Sequence, residues 1–152
     1  MIREAIAADA EVFAALLRGL NDEPGLRPEL ITPDSVARDL ICDPRALVLV
    51  AEEAGSLVGL AVAHPTYDSG RSRWSLWLND LYVAPQARRR GLGRALVGGV
   101  AAAARRQGMA CIWWNADEGD TLALHFHRSL GAEEAVVSDF LLEGTAFEAL
   151  AS

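Results

Sequence analysis

Lysine is absent from this sequence, and all 14 basic residues are arginine. Against 21 acidic residues they leave a net charge of −7, which excludes a general nucleic-acid binder with its basic face. The missing lysine reads as a compositional bias of the source. Only two cysteines occur, Cys42 and Cys111, far apart and at no zinc or redox spacing. No disulfide is expected in a chain with this much apolar content. No apolar run approaches the roughly 18 residues that cross a bilayer. The first residues, MIREAIAADAEVF, lack the apolar stretch behind a basic start that marks a signal peptide. A soluble, cytoplasmic protein without nucleic-acid or membrane partners is therefore expected.

What is present is enough for one core: 152 residues, 51% of them apolar, with no repeat or linker. A single domain over 1–152 follows. Ile2–Ala5 reads as a short strand, and Asp9 as the N-cap of a helix carrying Val12, Phe13, Leu16, Leu17 and Leu20 at helical spacing. Thr32-Pro33 opens a second helix through Ile41. Ala46–Glu52, Ser56–Pro65 and Arg73–Val83 read as strands, with Ala54-Gly55 a hairpin turn and Tyr67–Ser72 a polar one. Alanines and leucines from Gly91 to Gln107 recur at helical spacing until Gly108. Met109–Asn115 is strand-like, Thr121–Leu130 helical, and Val136–Leu142 a last strand. The fold class is α/β, an α+β mixed sheet in the order βααβββαβαβ, with helices on both faces.

Arg88, Arg89, Arg90 and Arg94 concentrate positive charge where a strand hands over to a helix. Such a junction aims unpaired amides and the helix dipole at one point. Gly91 and Gly93 let an anion approach the backbone, and arginines add charge-assisted bonds to phosphate oxygens. The pattern predicts a phosphate or pyrophosphate site. No Gly-Lys-Ser/Thr makes it a P-loop, and Leu96 stands where a dinucleotide fingerprint needs its third glycine.

Arg88-Arg89-Arg90-Gly91-Leu92-Gly93, after Leu81-Tyr82-Val83-Ala84-Pro85, resembles the Arg/Gln-x-x-Gly-x-Gly/Ala signature of the GNAT superfamily of acyl-CoA N-acyltransferases. Trp113-Trp114-Asn115 and then Ala123-Leu124-His125-Phe126-His127-Arg128-Ser129-Leu130-Gly131-Ala132 resemble its second block. Within the superfamily the chain is most similar to the diamine and polyamine acetyltransferases. The resemblance implies a splayed sheet, acetyl-CoA as cofactor and direct attack by a primary amine. It implies that Leu81, Tyr82, Val83, Arg88, Arg89, Arg90, Gly91, Leu92, Gly93, Arg94, Asn115, Phe126, His127 and Arg128 hold the cofactor. The amide of Leu81 would stabilise the oxyanion. A homodimer is implied by analogy.

The acid and base depart from that pattern. Where polyamine enzymes carry Glu-Asp, this chain has Asn79-Asp80, and Asn79 takes no proton. Asp80 is then either the base, acting through water, or a structural carboxylate. Strand alternation sets Trp77, Asn79 and Leu81 on one face and Leu78, Asp80 and Tyr82 on the other. His127 replaces the usual tyrosine acid; it either protonates the leaving thiolate or only hydrogen-bonds the cofactor. His64, beside Pro65, reads as ordinary strand-end chemistry. Trp77, Trp113 and Trp114, with Asn79, Asp22 and Glu23, are the acceptor candidates, suited to a cationic amine by cation–π contact and acidic charge. A protein lysine or N-terminal acetyltransferase and a non-catalytic acyl-CoA-binding module are the rival readings. No metal site is expected.

Overall fold

The computed structural model describes residues 1–152 in two units, Met1–Asn115 and Ala116–Ser152. The first holds strands β1 (Ile2–Glu4), β2 (Leu47–Glu53), β3 (Ser56–Asp68), β4 (Arg73–Val83) and β5 (Ile112–Trp113), in spatial order β1-β2-β3-β4-β5. Pairing is antiparallel through β4, and β5 joins β4 in parallel.

Three helices cover the two faces. On one lie α1 (Ala10–Leu20) and α2 (Pro33–Val36). Phe13, Ala14, Leu17 and Val36 pack there against Val48, Val50, Leu60 and Val62. Full burial of each large side chain contributes about 1.5–3 kcal/mol. On the other face lies α3 (Leu92–Arg106), whose buried Leu96, Val97, Val100, Ala103 and Ala104 keep one stripe to the sheet. It sits close: a Cβ at Gly99 would come within 2.9 Å of a Leu49 methyl, and one at Gly59 within 3.3 Å of a Leu96 methyl.

Local sequence explains most boundaries. Thr32 Oγ1 accepts from the Ser35 amide and Ser35 Oγ from the Thr32 amide, a reciprocal cap ahead of Pro33. The helix then widens into a π turn over Ala37–Ile41. Gly108, at φ +76°, ends α3 by donating its amide to Arg105 O. Asp9 does not cap α1 as the sequence suggests. Its carboxylate turns back to accept from the Ile6 amide and, at two oxygens, from Arg3, which also reaches Glu52.

In the second unit α4 (Thr121–Ser129) is capped by Asp120, which accepts from the Ala123 amide, and α5 (Gly144–Ala151) closes the chain. The expected strand over Val136–Leu142 does not form. That stretch makes no ladder, and Val136, Val137, Phe140, Leu141 and Leu142 are exposed. Its β-propensity has no paired strand to act on, and propensity alone does not make a strand.

Candidate active site

The site begins with a fault in β4. Val62 pairs with Asp80 and Ala63 with Leu78, so Asn79 has no partner and bulges. The extra residue breaks the alternation read from the sequence. Cross-strand partners share a face, so Asp80 lies on the side of Val62 and His64, together with Trp77, Asn79 and Tyr82. Leu78, Leu81 and Val83 face α3. The expected separation of Asn79 from Asp80 is therefore corrected: both project on the α1 side.

The same fault resets the backbone. Leu76 donates its amide outward to Cys111 O, just before β5, whereas Ala84 donates inward to Val58 O on β3. Amides alternate along a strand, so the bulge leaves those of Leu81 and Val83 on the outer edge. That edge is open. Pairing with β5 is confined to Leu76↔Ile112 and Trp77↔Trp113 and stops where the bulge begins, shorter than the Met109–Asn115 strand expected. The Val83 carbonyl there already accepts from Arg88 Nε at 2.8 Å.

After β4, one 3-10 turn (Pro85–Ala87) leads into the arginine run. Arg89 takes φ +67° and Gly91 φ +81°, left-handed values that fold the loop back ahead of α3. A Cβ on Gly91 would meet nothing within 4 Å. The first α3 bond runs from Ala95 N–H to Gly91 O, so the Leu92 and Gly93 amides have no acceptor within the helix. This backbone fits a phosphate. The side chains divide their work: Arg88 bonds Val83 O and stacks 5.6 Å from the Tyr82 ring centre, and Arg90 reaches Glu53 at 3.2 Å and Gln86 O. Both pin the loop. Arg89 and Arg94 are exposed. Tyr82 packs on the α1-side core, and its hydroxyl lies 2.8 Å from where a Gly19 Cβ would stand.

On the α1 side of the sheet, His64 Nδ1 and Asn79 Oδ1 are 2.7 Å apart. Asp80 makes no ion pair. Burial raises its carboxyl above the ordinary value, and the nearby His64 pulls it partly back. Trp77 and Trp113 share this face through the β4–β5 register. The Arg71 guanidinium lies over the Trp113 ring at 5.6 Å, so that ring already holds a cation. Trp114 lies beyond the paired residues and is half-buried, and Asn115, Asp22 and Glu23 are exposed. His64, read from the sequence as ordinary strand-end chemistry, is brought against Asn79. Two adjacent polar residues inside an apolar strand were the available signal of the bulge that recruits it.

In the second unit, the Phe126 and His127 rings meet edge-on at 5.2 Å, and Arg128 is bound by Glu134 at 2.7 and 2.8 Å. Burial holds the His127 imidazole below its ordinary pKa, with Asp120 opposing. At neutral pH it is largely uncharged.

A five-stranded mixed sheet with helices on both faces is an architecture this chain shares with solved N-acetyltransferases. Residues 14–132 match the family model for the acetyltransferase (GNAT) family, and the chain belongs to that family as an acetyltransferase. It is 26% identical to an uncharacterised N-acetyltransferase, YhfO, of Bacillus subtilis (strain 168), over 88% of this chain and 89% of that one. It is 27% identical to a thialysine N-epsilon-acetyltransferase of Bos taurus, covering 99% and 96%. The fold also matches an aminoglycoside N-acetyltransferase, AAC(6')-Iy, solved with CoA, at a TM-score of 0.80 and 22% identity, over 94% and 93% of the chains.

Proposed function

We propose that this enzyme moves the acetyl group of acetyl-CoA to a small primary amine, of the diamine or polyamine class. The observation that carries the proposal is the left-handed turn at Arg89 and Gly91. It opens α3 after a strand whose outer edge has no strand partner past Trp77. Bound there, the thioester supplies an activated acetyl carbon.

The chain's own groups then have distinct tasks. Amides from Arg89 through Gly93 hold the pyrophosphate, helped by the α3 dipole and by the Arg89 and Arg94 side chains. The Leu81 and Val83 amides on the open edge engage the pantetheine arm, and that of Leu81 donates to the developing oxyanion. Asn115, Phe126 and Arg128 are further cofactor residues in this reading. The sequence resemblance gives His127 the role of acid to the departing sulfur, and its lowered pKa suits that role. Trp77, Trp113 and Trp114 contact the alkyl chain of the acceptor, and Asp22, Glu23 and Asp80 attract its charge. The thialysine enzyme among its relatives, by its name an ε-amine acetyltransferase, supports a flexible alkyl amine. A homodimer is part of the same proposal, as is a cytoplasmic setting, which suits the free Cys42 and Cys111.

The test is thiol release from acetyl-CoA over a panel of diamines, polyamines, aminoglycosides and a lysine peptide. Release that saturates with a diamine or polyamine, at higher kcat/KM than with the peptide, is expected. Faster turnover of the peptide would move the acceptor to protein.

A further inference from the structure

We propose that His64 is a catalytic residue that takes the proton of the acceptor amine at its Nε2, with Asn79 fixing the imidazole in the tautomer that can do so. The inference rests on the amine-acetyltransferase reading and deepens it, naming a base for a strand whose residue 79 cannot be one.

The geometry follows from the bulge. His64 sits opposite Trp77 on β3, and the unpaired Asn79 turns its amide to the imidazole, 2.7 Å from Nδ1. An amide oxygen only accepts, so Nδ1 carries a hydrogen, and in the neutral ring the lone pair is then on Nε2. The ring is half-buried and Asn79 is exposed, which leaves the pair at the solvent boundary where a soluble amine arrives.

Two carboxylates interact electrostatically with His64: Asp80, on the same face of the sheet through its pairing with Val62, and Asp43, from the loop entering β2. Asp43 is committed to Arg45, which bonds both its oxygens, and its carboxyl is held down to about 2 chiefly by that guanidinium. Asp80 has no such partner. It is the negative charge available to steady an imidazolium, as an orienting carboxylate does beside other catalytic histidines.

The step balances. An ammonium proton passes to Nε2, and the freed nitrogen lone pair forms a bond to the acetyl carbon. The carbon–sulfur bond breaks and the sulfur is protonated, balanced by the second proton leaving the nitrogen. The proton on His64 goes to solvent. Ammonium and thioester thus become amide, thiol and one released proton.

The test compares wild type with His64→Ala and His64→Gln by thiol release across pH, with calorimetry for acetyl-CoA. Turnover at neutral pH should fall on the order of 100-fold, with acetyl-CoA affinity within about twofold of wild type, since His64 lies outside the proposed pyrophosphate turn. The deficit should narrow at high pH, where the amine arrives unprotonated, and added imidazole should restore part of the rate. Gln keeps a polar partner for Asn79 without basicity, so it gives the reading if Ala fails to fold. A folded variant with the wild-type rate and pH profile would overturn the proposal. So would a long-range proton–nitrogen NMR spectrum of the wild type showing the hydrogen on Nε2 rather than Nδ1. Wild type releasing no thiol with any amine overturns acetyl transfer itself, and this role with it.

Discussion

At the scale of single residues, two carboxylates respond to pH with opposite signs. Asp9 is held below its ordinary range, first by Arg3 and then by the Ile6 amide, against the pull of its burial. Its contribution to stability is present above the unfolded carboxyl value of about 4 and is lost as pH falls through the lower folded one. Replacing it should therefore matter at neutral pH and not in acid. Asp9→Asn should cost about 2 kcal/mol near pH 7 by chemical denaturation, the gap to wild type closing below about pH 4. A constant gap would show that the loss is steric. Asp80 runs the other way: burial raises it, so its ionisation opposes folding as pH rises. Gly91 serves the backbone. At φ +81° with open space around it, a valine would strain the loop by about 1–2 kcal/mol and fill the room an anion needs. Gly91→Val should weaken CoA binding at least tenfold by calorimetry while the far-ultraviolet circular dichroism stays native. Unchanged affinity would remove the turn from the site.

At the scale of elements, legibility in the sequence followed locality. The Thr32-Pro33 cap, the stripe of α3 and its Gly108 stop depend on neighbours within a turn or two, and each forms where the spacing puts it. The β4 bulge depends on register against β3, which period-two reading cannot detect. One unpaired residue therefore carried Asp80 to the other face and hid His64. The strand expected at Val136–Leu142 failed for the converse reason: its pattern is apolar, but no strand pairs with it. β3 and β4 approach α3 closely only because position 59 lacks a side chain. A Cβ there would stand 2.9 Å from the Tyr82 carbonyl oxygen, which is backbone and cannot swing away. Gly59→Ala should lower stability by about 1–3 kcal/mol and reduce turnover as β4 shifts, measured by thermal melting and thiol release. A neutral substitution would mean the strands separate more readily than their packing suggests.

At the scale of the whole molecule, an acidic chain keeps a local run of arginines for a structural and an electrostatic end. Arg88 and Arg90 brace the loop through Val83 O, Gln86 O and Glu53, and in the proposed reading the backbone between them faces the pyrophosphate. In the proposed reading, amine chemistry falls on the α1 side of the sheet and thioester binding on the open β4 edge, with the bulge at Asn79 between them. The most direct test is an amide proton–nitrogen NMR titration of the wild type with CoA. The largest shifts are expected at Leu81, Val83 and the amides from Arg89 through Gly93. Saturable binding that leaves those amides unmoved and shifts another region would contradict the proposed site.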